Sequence, residues 1–297
     1  MRHRCWFVTG RCNVKWLRGR LLLLMCIVAA SSLVPTPTGA ASFFGSAKFM
    51  QQYEMGETTL INFWGPLATA HDPQTEPYTE GQAGAVCRPM EPCPRFIAVG
   101  KRIVQYFDKA RMEQNTPGAS VTNGLLAVEL ISGRVQIGNA TYDQRQPATI
   151  AAVGDVSNIF PTYADFAKWQ APPASRDNPV VTLAQADGMV STYTGAMGDP
   201  LTKVSTIDAN GQHPVPLAFS QFREIVGLST VGLAITEPFW VQVKVGGMPH
   251  TVLTQAFERR VLTYTADNPA PYKVEFGNIG AHYYQWRYAS TLPMASP

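Results

Sequence analysis

The chain says nearly the same thing twice. "RIVQYFDKARMEQNTPG" occupies Arg102–Gly118 and "VLTQAFERRVLTYTADNP" occupies Val252–Pro269. Gln105-Tyr106-Phe107-Asp108-Lys109 matches Gln255-Ala256-Phe257-Glu258-Arg259. "TEPY" at Thr75–Tyr78 precedes the first copy and "TEPF" at Thr236–Phe239 the second. Val121–Gly124 follows the first as Val274–Gly277 follows the second. A repeat of this kind constrains the fold more than any single motif, because one order of elements has to be built twice. From the TEP aromatic to the Gln is 27 residues in the first copy and 16 in the second, and the excess falls at "GQAGAVCRPMEPCP". That stretch reads as an insertion in a hairpin connection.

The second copy has the plainer pattern. "WVQVKV" alternates, with Val241, Val243 and Val245 on one face and Gln242 and Lys244 on the other. Gly246-Gly247 supplies the positive φ of a tight hairpin. "TVLTQAF" and "RRVLTYT" continue as the return strand, and "YKVEF" as a third, with Tyr272, Val274 and Phe276 inward. A three-stranded meander needs a cover. Phe219, Phe222 and Val226 in Pro216–Gly227 have helical spacing and provide one. In the first copy, "FIAVGKRIVQYFDKARME" predicts a hairpin turning at Gly100-Lys101, and "NGLLAVELISGRVQIG" a short helix closing on Gly133. "VVTLAQADGMVSTYT" predicts another hairpin, turning at Asp187-Gly188. The expected class is α+β and β-rich, with two related units, each a small antiparallel meander under a helix or strap. The boundaries are 1–41 for a leader, 42–150 for unit one, 151–179 for a linker or strap and 180–297 for unit two.

The first 20 residues carry Arg2, Arg4, Arg11, Lys15, Arg18 and Arg20 and no acid; an apolar run, Leu21–Val34, and then "PTPTGAAS" follow. This is the pattern of a secretory signal peptide, with an uncleaved anchor as the alternative. Six of the 24 basic residues and none of the 21 acids lie in 1–41, so the remainder has 18 against 21 and a net charge of −3. That excludes a nucleic-acid partner recognised through a basic patch. No further membrane span is expected. Cys87 and Cys93 remain after the leader and read as one disulfide closing the inserted loop; two metal thiolates, with His71 near in sequence, are the alternative.

"GLAITEPFWVQVKVGG", "VLTQAFERRVLTYTADNP" and "VEFGNIGAHYYQWRY" resemble a family of exported bacterial proteins without an assigned activity. Its units carry a Gly-x-Pro-Ile-Ser-Glu-x-aromatic step, a Gln-x-Phe-Glu-Arg strand and a Val-x-x-Gly end. A more distant resemblance is to LGFP repeats of bacterial cell-wall proteins, through Gly232–Glu237, with Ala234 where that motif has Pro. The resemblance implies an extracytoplasmic place, secreted or at the cell surface.

The sequence holds no G-x-S-x-G, H-E-x-x-H, Walker A, strand-turn-helix G-x-G-x-x-G or C-x-x-C signature. No cofactor or metal is called for. Two carboxylate pairs follow from the duplication, Glu76 with Glu237 and Asp108 with Glu258; the alternative is that each acid serves the fold. Aromatic residues offer a binding platform: Trp240 and Tyr264, and Tyr283, Tyr284, Trp286 and Arg287 within "AHYYQWRY". If that run is a strand, Tyr284, Trp286 and Tyr288 share a face. The expectation is a non-catalytic exported module that binds a cell-wall or extracellular polysaccharide. An exported hydrolase using a carboxylate pair is the alternative, as is a structural envelope protein that binds other proteins.

Overall fold

The structure, a computed structural model, describes residues 44–57, 63–65, 70–78, 100–115, 119–138, 141–169, 174–208 and 212–288. The expected leader, Cys87 and Cys93 lie outside the described residues. The protein is a mixed α+β fold of antiparallel sheets and short helices. The first repeat builds a four-stranded sheet of β1 (Gln74–Tyr78), β2 (Gly100–Phe107), β3 (Ala110–Gln114) and β4 (Thr122–Asn123), in that order. β1 and β2 are antiparallel with Tyr78 opposite Gly100, so the expected insertion does fall in a hairpin connection, 79–99.

The second repeat builds β11 (Phe239–Val245), β12 (Met248–Ala256), β13 (Val261–Tyr264) and β14 (Val274–Phe276). The sheet is extended beyond β11 by β7 (Thr182–Ala184), which runs parallel to it, and by β8 (Val190–Thr192) at the edge. The turns obey their residues. Gly246 and Gly247 both have positive φ, 59° and 79°, as the expected two-glycine hairpin needs. The β7–β8 hairpin turns through Gly188 at φ 83°.

Helices precede and follow each meander. Before them stand α1 (Ala47–Glu57) and α4 (Leu217–Val226); α2 (Leu126–Ser132) and α6 (Ile279–Tyr288) come after. Phe219, Phe222 and Val226 are buried on α4 as their spacing predicts, and α2 closes on Gly133 in the left-handed conformation. Two short helices, α3 (Tyr163–Lys168) and α5 (Leu228–Val231), and two small hairpins, β5 (Arg134–Gln136) with β6 (Tyr142–Gln144) and β9 (Val204–Asp208) with β10 (His213–Pro216), complete the fold.

The sheets are covered on both faces. Alternation along β2 sends Val104 and Tyr106 to one core and Phe107 to the other. In the second sheet Val241, Val252 and Val261 share a core with Leu126, Leu130, Phe166 and Tyr283, while Trp240, Leu253 and Leu262 share one with Phe49, Phe107 and Phe219. Each core draws residues from both repeats, and Phe43–Pro297 is one compact unit.

The structure corrects four local readings. The shared Gln-x-Phe-acid-base stretch is not a strand interior. It ends β2 and β12, and the charged pair, Asp108-Lys109 or Glu258-Arg259, makes the turn into the next strand. The second meander therefore has four strands, and the first turns at Asp108-Lys109 where Gly100-Lys101 was expected. Tyr272 points outward, 57% exposed, because strand pairing resumes only at Val274. "AHYYQWRY" is helical, part of α6, so Tyr283 and Arg287 share a face by their i, i+4 spacing. Finally, TEPY and TEPF are not equivalent. Pairing Gln74 with Val104 and Phe239 with Thr254 sets Pro73 beside Gln105 and Pro238 beside Gln255, so "HDP" is the counterpart of "TEP".

With that register the repeated residues explain themselves. Gln105 Nε2 donates to the His71 carbonyl at 3.3 Å, and Gln255 Nε2 to the Thr236 carbonyl at 2.8 Å. The Lys109 N–H donates to Trp64 O and the Arg259 N–H to Val231 O, each at 3.1 Å. Asp108 and Glu258 pack against Gly65 and Gly232, whose φ values are 97° and 86°; a Cβ at either would collide with the acid. The Gly124 N–H donates to Arg111 O and the Gly277 N–H to Val261 O, each at 2.9 Å.

The repeats then trade helices. The Asp108 carbonyl accepts from Gly280 and Ala281, at the start of α6, at 2.9 and 3.0 Å. The Glu258 carbonyl accepts from Val128, at the start of α2, at 3.3 Å. Each helix thus brings otherwise orphan N–H groups to the turn of the other repeat. α6 approaches closely enough that a Cβ at Gly280 would overlap the Phe107 carbonyl. At the corresponding position α2 has Ala127, and its bond is the longer one. Because each half completes the other, a fragment spanning 180–297 is expected not to fold as a monomer. Circular dichroism and thermal unfolding of that fragment check this, and a cooperative monomeric transition would contradict the exchange as a folding requirement.

Candidate functional site

Three acids and three arginines lie buried where α6 docks on the first sheet. Arg102 on β2 meets Glu76 on β1 at 2.8 Å and Glu113 on β3 at 3.4 Å; Arg111 reaches Glu113 and, at 2.6 Å, Glu129 on α2. From α6, Arg287 meets Glu76 at 3.2 Å, Tyr283 donates to Glu129, and Tyr288 donates to Glu76. Burial alone would raise the Glu76 carboxyl. The guanidinium groups of Arg111, Arg102 and Arg287 and the Tyr288 phenol outweigh it and hold the group down at about 2. Such a network sits in the interior and its members pair chiefly with one another, with Arg111 Nη1 left without a hydrogen-bond partner, so it orients elements and leaves little for a ligand.

The two carboxylate pairs suggested by the duplication do not form sites. Glu76 is committed to Arg102 and its neighbours, whereas Glu237 meets His213, and the two share no partner. Glu258 Oε2 accepts from the Leu233 N–H at 3.0 Å, and Asp108 packs on Gly65. The aromatic candidates are dispersed as well. Trp240 and Tyr264 are core rings: Trp240 Nε1 donates to Val180 O at 2.6 Å and the Tyr264 hydroxyl to Asp199. Tyr283 is fully buried, with the Arg111 guanidinium 4.6 Å from its ring centre, and Arg287 is buried beside it. Tyr284 is part-exposed and stacks on His71 with centroids 3.6 Å apart. Trp286 is part-exposed, donates to Gln146 O at 3.2 Å and lies beside Arg145. The α6 candidates stay together on one helix; Trp240 and Tyr264 belong to the other core.

A different site emerges where β10, β11 and the α3 region meet. His213 Nδ1 and Glu237 Oε1 are 3.1 Å apart. His213 sits on β10, which pairs with β9, and Glu237 lies just before β11 in the segment held by Gln255. α3 starts with a capping box, Thr162 with Asp165, which fixes Phe166 and delivers Trp169 at its C-terminal end. Phe166, Trp169, His213 and Glu237, with Ile131 and Ile235, wall a cleft of about 480 Å³. Desolvation raises the Glu237 carboxyl above its ordinary value, opposed by hydrogen bonding and charge from His213. Glu237 Oε2 and Trp169 Nε1 are buried without a hydrogen-bond partner. An acid and an imidazole, one perturbed, beside aromatic walls are the usual composition of a small-molecule site. Glu237 was legible as a candidate. His213 and Trp169 were not, because their approach depends on pairing between segments distant in sequence.

Among the described residues no cluster of His, Cys, Asp and Glu could hold a metal ion, and no helix is long and apolar enough to cross a membrane. Compared with known proteins, the chain matches no family model, no curated protein and no solved structure.

Two measurements check the electrostatics. Arg111→Met leaves Glu113 and Glu129 buried without their shared cation and is expected to cost about 3–5 kcal/mol in urea unfolding; a loss under about 1 kcal/mol would mean the site relaxes or hydrates freely. His282 on α6 shares a 2.9 Å hydrogen bond with the Tyr163 hydroxyl, and burial lowers its imidazole from 6.5 to about 4. The native state therefore binds fewer protons than the unfolded chain between those values. The contribution is complete above pH 6.5 and is lost as pH falls toward 4, by about 3 kcal/mol at most. His282→Gln is expected to flatten the fall of the thermal midpoint across that window.

Proposed function

We propose that the protein is an exported, non-catalytic module of the cell envelope that binds a glycan in the Trp169–Glu237 cleft. The observation that carries the proposal is the juxtaposition of a carboxylate–imidazole pair with the aromatic wall of Phe166 and Trp169 in one open cleft. Sugars present apolar C–H faces to aromatic rings and hydroxyl groups to fixed polar side chains, and this cleft offers both. The signal-peptide pattern and the family resemblance favour an envelope polymer as the source of the glycan.

Binding is favoured over hydrolysis by the acids available. Glycoside hydrolysis uses two carboxyl groups, about 5–9.5 Å apart, on either side of the bond. Among the described residues that line the cleft, Glu237 is the single acid. Glu76, its proposed partner in a dyad, is held by three arginines in the interior.

Retention of the purified secreted protein on insoluble peptidoglycan and envelope polysaccharide tests the reading, beside Trp169→Ala and Glu237→Gln. Retention is expected to fall about ten-fold in each, a loss of about 1.4 kcal/mol. Glu237→Gln preserves shape and should unfold near the wild-type temperature. Wild-type protein that is not retained overturns the proposal. Release of reducing ends by wild type, abolished in Glu237→Gln, would replace it with the hydrolase.

A further inference from the structure

A second cleft, of about 290 Å³, lies against the second sheet, and its chemistry differs. Its floor runs across the second sheet from Val252 through Thr263 to Glu275. Thr263 and Thr265 stand there beside Glu275, which pairs with Thr263 across β13 and β14. One wall is the start of α6 with His282, another is the turn holding Asn268, and Lys109 enters from the β2–β3 turn of the first repeat. The site is therefore assembled by the exchange between repeats: α6 reaches the Asp108 carbonyl, and the next residue, Lys109, is brought to the second sheet.

Five titratable groups line this cleft, Lys109, Asp155, His250, Glu275 and His282, and two of them, Asp155 and His282, are already committed. Both Asp155 carboxylate oxygens accept from the hairpin N–H groups of Gly246 and Gly247, at 2.8 and 2.7 Å. His282 takes the Tyr163 hydroxyl and is neutral above pH of about 4. Lys109 and Glu275 differ. They are near enough to feel each other's charge, and they form no ion pair. Among the described residues neither the Lys109 ammonium nor the Glu275 carboxylate has a hydrogen-bond partner. Burial, with a smaller contribution from the Arg260 guanidinium, lowers the Lys109 ammonium from its usual value, and Glu275 and Asp108 offset this only in part.

We infer that this cleft binds a small zwitterion, an amino acid or dipeptide with both termini free, its carboxylate on Lys109 and its ammonium on Glu275. A simple anion would face Glu275 and a simple cation would face Lys109; a ligand carrying both charges satisfies both. The cleft lies at the small end of the range for ligand pockets, roughly 300–1,000 Å³. Thr263, Thr265 and Asn268 offer neutral donors and acceptors between the charges, which suits a peptide group. The inference stands apart from the glycan cleft, which shares none of these residues.

Isothermal titration calorimetry of the purified protein with alanyl-alanine tests it, beside N-acetyl-alanyl-alanine and alanyl-alaninamide. The free dipeptide is expected to bind at least about ten-fold more tightly than either blocked form. Lys109→Met should abolish discrimination between acid and amide. Glu275→Gln, at an exposed position, should abolish discrimination between free and acetylated amine and should leave the fold intact. No binding of the dipeptide by folded wild type, equal binding of all three peptides, or discrimination unchanged in Glu275→Gln would each overturn the inference. Peptidoglycan retention is read separately, so either result can fail alone.

Discussion

Two backbone carbonyls hold this molecule in its topology. Asp108 O and Glu258 O sit at the tips of equivalent turns, and each accepts the N-terminal N–H groups of the helix that follows the other repeat. A helix start has orphan donors that water or a cap must satisfy. Here neither α2 nor α6 uses a side chain of its own to do so at these positions; the partner repeat supplies the acceptor. The arrangement is reciprocal, as in a two-fold interface between subunits, but within one chain. It requires a turn whose carbonyl points outward, hence the glycine-backed acid at 108 and 258. It also requires a helix able to approach backbone closely, hence Gly280.

The buried ion network follows from this exchange. α6 arrives on the first sheet with Tyr283, Arg287 and Tyr288, and the sheet meets it with Glu76, Arg102, Arg111 and Glu113. Three carboxylates against three guanidinium groups leave no net charge to bury, which is the condition under which such a cluster is tolerable. The second repeat shows that the fold does not demand it. The equivalent of Arg111 there is Val261 and that of Glu129 is His282, and the site is largely apolar. Apolar packing supports the same backbone, so the ions are not what the backbone itself requires.

Much of the second repeat was legible because its signals are local. Alternation in "WVQVKV", the Gly246-Gly247 turn and the periodic phenylalanines of α4 all act over a few residues. The errors share a cause. Glu258-Arg259 looks like strand because Val, Leu and Thr surround it; what makes it a turn is the packing against Gly232 and the docking of α2. "AHYYQWRY" has the aromatic content of a strand, and its helical form is set by the donors it must bring to Asp108. TEPY resembles TEPF by letters alone, and only the strand register separates them. Cleft residues were hardest of all, since the docking that brings His213 to Glu237, and Lys109 into the cleft that Glu275 lines, lies outside any window of sequence.

Where the two repeats agree, their residues are spent on the fold: the glutamines hold the incoming chain, the phenylalanines fill the shared core and the acids back onto glycines. Unspent chemistry is completed where the repeats differ, although Lys109 has a basic counterpart in Arg259 and Glu237 an acidic one in Asp72. Glu275 stands where the first repeat has Thr122, and His282 where it has Glu129. The segment from Arg145 to Trp169, which lies between the copies, supplies Phe166 and Trp169 to one cleft and Gly154 and Asp155 to the other. Duplication supplied a symmetric frame, and both clefts are completed where that symmetry is broken, by a strap laid across it and, in the second cleft, by Glu275.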